Sequence, residues 1–537
     1  MQKLPFIIIF STLLSACATF QASNELQSTH YTVVGDAAFP ALAQNKLLEK
    51  HIDNENTVTH PERHDIWQRI RDGFEIADVD HPRVQRQLEW YIKHPKYMER
   101  VVERARPYMH LIVEAAEEQG IPTELALLPI VESAFQPFAY SHGRASGIWQ
   151  FISSTGKRYG LKQNWWYDGR RDVYASTKSA VRLLDNLNKN FKGNWLYALA
   201  AYNAGGGNVR KAIRKNKRRG KPVEFFSLKL PPETKAYVPK LLALKKIINN
   251  PEKYGLTLEP IANKPYLVKV DTSSQIDLAR VAELADMELD EIYKLNPGFN
   301  RWATAPNGPH YVLLPVDKAQ GFEEKLVALP KEERIRWVRH KIRKGETLGA
   351  IATKYNTSIG SIKKVNRIRG NALREGRGLT IPVASKKLHS YKLSANQRKS
   401  KLQNIPRKGV KVTHIVQNGD TFWDLAQLHK VGVRQLAKWN SMAPRDPLLP
   451  GQKIIIWSRT GKSVSHNDPG NLVIPPKRNI TTRIGYRVRT GDSLARIARK
   501  FRVSISQLRR WNRLPKGKYL QPGQRITLFV NVFGTSS

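Results

Sequence analysis

Arg343-Lys344-Gly345-Glu346-Thr347-Leu348, Gln417-Asn418-Gly419-Asp420-Thr421-Phe422 and Arg489-Thr490-Gly491-Asp492-Ser493-Leu494 are three versions of one hexapeptide. Each is closed, at the same interval, by an asparagine: Asn366, Asn440 or Asn512. Three copies in register mean that the C-terminal half is an array of short repeated units and not one large domain. Each unit reads as a strand before the Gly, a helix such as Leu348 to Tyr355, a second helix ending at the Asn, and a closing strand such as Leu379-Thr380-Ile381-Pro382. Pro450-Gly451 and Pro522-Gly523 supply the turn before the last strand, with Gly taking the positive φ of a type II turn; the first copy has Glu375-Gly376 instead. A fainter outline runs from Tyr266 to Pro315, where Leu278-Ala279, Ile292-Tyr293, Leu295-Asn296 and Leu313-Leu314-Pro315 persist but the Gly-Asp-Thr opening is lost.

The N-terminal half has a different texture. Apolar residues recur at helical spacing through Ile66-Trp67-Ile70, Leu88-Trp90-Tyr91-Ile92 and Tyr108-Leu111-Ile112-Ala115. Pro122-Thr123-Glu124 and Asp172 mark helix starts, while Gly120 and Gly193 mark stops. Residues 61–255 therefore read as an all-α domain behind a polar linker, 18–60. Twelve Trp and 19 Tyr argue against general disorder, and 537 residues exceed what one core usually serves. The net charge of +44 favours a polyanionic partner: nucleic acid, an anionic membrane face, or a peptidoglycan with free stem-peptide carboxylates.

The first residues choose among these. Lys3 precedes an apolar run from Leu4 to Leu14, followed at once by Leu14-Ser15-Ala16-Cys17, the layout of a signal peptide over residues 1–17. The tetrad resembles a bacterial lipobox, and Cys17 is the only Cys in the chain, so lipidation of Cys17 is expected in preference to an ordinary cleavage near an incidental Cys. Ala18 stands where Asp would retain a lipoprotein at the inner membrane, which favours an outer-membrane anchor facing the periplasm if the source is Gram-negative. A secreted, lipid-tethered protein has little access to nucleic acid. The expected partners are thus peptidoglycan glycan strands and, through the N-terminal lipid, a membrane.

Chemistry is concentrated in three segments. The run Leu125-Ala126-Leu127-Leu128-Pro129-Ile130-Val131 delivers Glu132 from an apolar helix end, where poor solvation favours the neutral acid. Such a Glu can serve as a general acid, although a cap or ion-pair partner is the blander reading. Downstream lie Gly147-Ile148-Trp149-Gln150-Phe151 and Ala201-Tyr202-Asn203-Ala204-Gly205. Together with Glu132-Ser133 these resemble the family-1 soluble lytic transglycosylase domain, over about residues 95–250, with Ile148-Trp149 where relatives often have Leu-Met. The resemblance implies a lysozyme-like fold and a non-hydrolytic cut between N-acetylmuramic acid and N-acetylglucosamine that leaves a 1,6-anhydro end. It implies Glu132 as the catalytic acid, with Ser141 near the N-acetyl group, Gln150 on sugar, Tyr202 orienting the N-acetyl group or Glu132, Asn203 holding the adjoining loop, and Glu233-Thr234 with Tyr237 closing the cleft. Trp149 and Phe151 are candidates for stacking on sugar, although aromatic residues beside Gly more often pack in the core. Asp168 and Asp172 are the best candidates for a second carboxylate, and each reads more readily as a helix cap or Arg partner.

The repeats, over residues 338–383, 412–457 and 484–530, resemble the LysM module, a βααβ unit that binds N-acetylglucosamine-containing glycans. That resemblance puts Gly345, Thr347, Gly419, Thr421, Gly491 and Ser493 near a shallow ligand groove, though Thr347, Thr421 and Ser493 are equally good helix N-caps. The stretch 264–318 reads as a degenerate module. Two linkers, 384–411 and 458–483, the first strongly basic, are expected to be extended, solvated tethers.

The fold class is therefore multidomain: an all-α lysozyme-like catalytic domain followed by small α+β (βααβ) LysM repeats. No cofactor or metal is expected. Gly205-Gly206-Gly207 lacks a phosphate-loop ending, and His60 and His64 have no further ligand set. The basic run from Arg210 to Arg219 suits wall carboxylates or a solvated helix face. Two rivals stay open: a hydrolase of the goose-lysozyme type and a non-catalytic wall tether.

Overall fold

The computed structural model describes residues 64–458, 481–501, 503–512, 514–515 and 520–531. The lipobox with Cys17, His60 and nearly all of the linker 458–483 lie outside them.

The helical domain comprises α1 (Ile66–Asp72), α2 (Pro82–Ile92), α3 (Pro95–Ala105), α4 (Met109–Glu118), α5 (Leu128–Ser133), α6 (Ser153–Arg158), α7 (Val173–Asn190), α8 (Trp195–Ala204), α9 (Gly206–Lys217) and α10 (Pro232–Asn249). Caps account for several starts: Asp172 accepts the Ala175 N–H at 2.8 Å, Asn194 accepts that of Tyr197 at 3.0 Å, and α2, α3 and α10 open on proline. α10 buries Val238, Leu241, Leu242, Leu244, Ile247 and Ile248, apolar on most of its circumference, and so runs through the core with α2 and α8 packed on it. Asp65, the cap of α1, also accepts the Ile261 N–H at 3.2 Å, tying the start of the domain to its end.

Four βααβ units follow. The first has β1 (Leu267–Asp271), α11 (Leu278–Leu284), α12 (Leu289–Leu295) and β2 (Tyr311–Pro315), with α13 (Val316–Ala328) appended. The second has β3 (Arg336–Lys341), α14 (Leu348–Lys354), α15 (Ile359–Val365) and β4 (Gly378–Val383). After α16 (Ala395–Asn404) come β5 (Val410–Ile415), α17 (Phe422–Leu428), α18 (Val433–Trp439) and β6 (Lys453–Ser458). The last unit has β7 (Thr481–Arg487), α19 (Leu494–Lys500), α20 (Ile505–Asn512) and β8 (Arg525–Asn531). Every sheet is a two-stranded antiparallel pair of first and last strand.

The repeated asparagine explains why the unit closes. The Asn440 amide donates to Leu436 O at 2.9 Å and Ile455 O at 2.8 Å, and accepts the Ile455 N–H at 2.8 Å, stitching the end of α18 to β6. Asn366 and Asn512 make the same three bonds, and so does Asn296 in the degenerate unit. The acid after each Gly is structural too: Glu346, Asp420 and Asp492 accept the N–H three residues earlier and a side chain of the first strand.

The basic stretch 384–411 is not an extended tether. Tyr391 is 1% exposed and donates to Asp277 at 2.9 Å, Ala395 N–H reaches Asn300 O at 2.8 Å, and α16 forms behind them. Counting charges missed that this stretch also carries Tyr391 and Leu393, which pack into the core of the first unit and anchor it.

Candidate active site

α5 is six residues long and follows a 3-10 turn, Thr123–Leu127, whose residues are all buried. It ends at Ala134 and Phe135, both left-handed at φ 50° and 54°, with Phe135 fully buried to hold that strain. Glu132 is thereby presented from an apolar helix end at the wall of a cleft of about 940 Å³. Burial pushes its carboxyl up to about 7, the neighbouring Glu233 adds to the rise, and the Tyr237 hydrogen bond and Lys240 oppose it. Tyr237 Oη donates to Glu132 Oε1 at 2.6 Å, and among the described residues no other hydrogen bond reaches that carboxyl.

The cleft also gathers Ser141, Gln150, Tyr202, Asn203 and Tyr237, all of the sequence-predicted candidates around Glu132. Tyr202 Oη donates to Trp149 O at 2.8 Å, leaving its lone pairs open. Gln150, itself left-handed at φ 49°, donates from Nε2 to Gly147 O at 2.8 Å. Ser141 Oγ accepts the Ala145 N–H at 3.0 Å, so its own proton is unclaimed by that bond. Asn203 Oδ1 accepts from Thr234 Oγ1 at 2.7 Å, joining the end of α8 to the start of α10. Ser133 Oγ donates to Ile148 O at 2.9 Å and ties α5 to the Gly147 segment. Gly147 must be glycine: φ is 82° and a Cβ there would sit 2.0 Å from Arg170 O.

For four residues the alternatives resolve to the structural reading that the sequence favoured. Trp149 is not at the sugar face; it is 1% exposed and donates to Thr177 Oγ1 at 2.9 Å inside the core. Phe151 borders the cleft but is 2% exposed and packs in the core. Asp168 pairs with Arg170 at 2.8 Å: burial raises its carboxyl, but the Arg170 hydrogen bond and the charges of Arg171 and Arg170 outweigh this and hold it below the usual range. Asp172 caps α7 and accepts from Tyr167 and Tyr311 at 2.8 and 2.9 Å, with burial raising its carboxyl against those bonds. Neither lines the cleft, so neither is a second catalytic carboxylate in this arrangement. Glu233 does line it, as do Arg158, Arg210, Lys240 and Arg434. Sequence reasoning reached Glu233 only as part of a closing segment, and Arg434, in the unit of β5 and β6, carries no local signal.

In the LysM-like units Thr347, Thr421 and Ser493 each accept an N–H three residues on, at 3.1, 3.2 and 3.1 Å, as helix caps. Gly345, Gly419 and Gly491 take φ of 78°, 94° and 83° in the turns before them. Among the described residues no cluster of ligands suits a metal ion.

A helical domain with a buried, raised carboxyl in a cleft, followed by LysM-type units, defines a class of wall-cutting enzymes, and comparison with known proteins agrees. The family description "Transglycosylase SLT domain" matches residues 110–225; "Lytic transglycosylase MltD, LysM-like domain" matches 266–331; "LysM domain" matches 340–382, 414–457 and 486–529. The chain is 34% identical over 471 residues to membrane-bound lytic murein transglycosylase D of Escherichia coli (strain K12), covering 85% of this chain and 98% of that one. It is 34% identical over 186 residues, 35% of this chain and 88% of the other, to a putative tributyltin chloride resistance protein of Alteromonas sp. (strain M-1). Among solved structures, the 70 kDa soluble lytic transglycosylase of Escherichia coli aligns at 22% identity with a TM-score of 0.25, over 30% of this chain and 29% of that one. The chain belongs to the membrane-bound lytic murein transglycosylase D family; it is an enzyme, with LysM modules that bind peptidoglycan.

Proposed function

We propose that Glu132 alone supplies acid and base for cleavage of the β-1,4 bond between N-acetylmuramic acid and N-acetylglucosamine. The observation that carries this is the pairing of a carboxyl raised to about 7 with a single protein hydrogen bond, from Tyr237 to Oε1. The free Oε2 would carry the proton to the glycosidic oxygen as the bond to C1 breaks, releasing the 4-hydroxyl of N-acetylglucosamine. The substrate's own N-acetyl group stabilises C1, with Ser141 able to donate to it and Tyr202 able to accept its N–H. Glu132 then takes the proton of the C6 hydroxyl as O6 closes on C1. Atoms balance without water, and a 1,6-anhydro end results. Hydrolases of this kind pair an acid with a second carboxylate roughly 5–10 Å away; Asp168 and Asp172 are both engaged elsewhere, and Glu233, the other acid lining the cleft, is assigned only the charge that helps raise the Glu132 carboxyl.

The modules would hold the strand, with Gly345, Thr347, Gly419, Thr421, Gly491 and Ser493 shaping the groove loops. Weak contacts gain by sharing one chain, since a second contact becomes intramolecular. Deleting Tyr486 to Phe529 should weaken sacculus binding more than it slows cleavage of a short soluble glycan. Lipid on Cys17 would anchor the protein at the outer membrane facing the periplasm; among the described residues no helix is long and apolar enough to cross a membrane.

The test is digestion of purified sacculi by the chain from Ala18 onward, with the released muropeptides read by mass spectrometry. Products one water lighter, without new reducing ends, are expected. Reducing N-acetylmuramic acid ends would overturn the single-carboxylate mechanism.

A further inference from the structure

The unit of β5 and β6 is seated on the rim of the catalytic cleft. Asp446, in the loop after α18, pairs with Arg144 Nε at 2.6 Å and accepts from Tyr140 Oη at 3.3 Å, while the Arg144 guanidinium also donates to Arg445 O. The Asp446 side chain is only 15% exposed in this contact. Arg144 and Tyr140 flank the turn that brings Ser141 to the cleft. A second attachment is independent of the first. α16 bridges the two bodies: Arg398 lies 4.2 Å over the Phe138 ring at one end, and at the other Gln403 donates to Asn440 at 2.8 Å and Arg407 lies 5.7 Å from the Trp439 ring centre. Anchored from both sides, α18 contributes Arg434 to the lining of the cavity that holds Glu132.

Arg434 is exposed, and among the described residues it makes no hydrogen bond or ion pair. With Arg158, Arg210 and Lys240 it makes four cations in a cleft whose acids are Glu132 and Glu233. The sugars at the scissile bond are uncharged at the reacting atoms and give no reason for this excess. Carboxylates of the peptide stems do. A cation on the wall of a partly water-excluded cleft attracts a carboxylate more strongly than one on an open surface.

We propose that the docked module forms one wall of the substrate cleft and that its Arg434 is a specificity-determining residue, pairing with a stem-peptide carboxylate of the bound strand. The proposal rests on the reading of the Glu132 cleft as the peptidoglycan-cutting site. It makes this module part of the active enzyme and not only a tether.

The test uses the chain from Ala18 to Ser537 on two matched substrates, native sacculi and sacculi whose carboxylates have been converted to amides, with kcat/KM read from anhydro product. Arg434→Gln should lower cleavage of native sacculi about fivefold, the upper range for a partly exposed ion pair, and leave the amidated substrate unchanged. Arg434→Lys should keep most of the preference. Arg144→Asn, which fits the left-handed φ of 67° at that position, combined with Gln403→Ala and Arg407→Gln, removes the side chains of both attachments without touching the cleft lining, and should release the module and erase the same preference. Equal losses on both substrates, an undiminished preference in Arg434→Gln, or a preference retained by the triple variant at Arg144, Gln403 and Arg407 would each overturn the proposal. Absence of anhydro product from the unaltered chain would instead strike the function proposed for the cleft.

Discussion

In the LysM-type units the signature side chains hold the backbone; in the cleft the ionisable ones are buried against their own charge. Thr421 caps α17, Asp420 gathers the Gln417 N–H and His414, and Asn440 stitches helix to strand, so each polar group meets its partner inside the unit. In the cleft, Glu132 is raised to about 7 by burial, and Tyr237 is pushed well above its ordinary range beside it. None of that arrangement helps the domain fold. Residues that recur in every unit are those the unit needs in order to close, whereas the residues that occur once are the ones the chemistry needs.

The sharpest way to break this contrast is Glu132→Gln. Cleavage should fall about 10³-fold, within the usual range for loss of a general acid. Stability should move the other way. The folded carboxyl holds its proton more tightly than the unfolded one, so its contribution is full below about 4.5 and lost as pH rises to about 7. The Gln variant should therefore gain in melting temperature over the unaltered chain across that window and stay ahead above it. The rate of the unaltered enzyme should decline above pH 7 as the acid ionises. A Gln variant less stable than the parent at pH 8 would mean that Glu132 is a structural residue after all.

Next in size is Asn440→Ala. It strands the Ile455 N–H and two carbonyls in a site with no exposure, which should cost about 3 kcal/mol and unfold that unit before the helical domain. Calorimetry of the chain should show an early transition that the parent lacks. Loss of glycan binding with the transition unmoved would overturn the structural assignment of the repeated Asn.

These two cases also mark what a sequence can disclose. The βααβ units were legible because three copies in register and turn glycines are local signals. The acid Glu132 was legible from the apolar run before it and the segments around Trp149 and Tyr202. Burial of Trp149 was the commoner expectation for an aromatic beside glycine, but no local signal told it from one that faces sugar. The anchoring of 384–411 was hidden by nine basic residues surrounding one Tyr391 whose partner, Asp277, is more than a hundred residues away. Arg434 is invisible for the same reason: it reaches the cleft only through a tertiary contact between units.

The strap permits a finer test. Tyr391→Phe removes the hydroxyl that reaches Asp277 while keeping the buried ring, and should cost about 1–2 kcal/mol because a desolvated carboxylate loses a donor. Protease cutting near Leu388 should quicken in step. No change in either would mean that the ring alone anchors the strap.

The smallest expected effect separates the two readings of the module threonines. Thr421→Ala removes the N-cap of α17 and should lower the stability of that unit by about 1 kcal/mol, whereas Thr421→Ser keeps the oxygen and should change it little. Sedimentation with sacculi gives the second axis. If Thr421 only caps, binding by both variants follows the folded fraction and nothing more. A Ser variant of parental stability that binds poorly would show the methyl group touching glycan, and would bring at least one repeated residue over to the side of function.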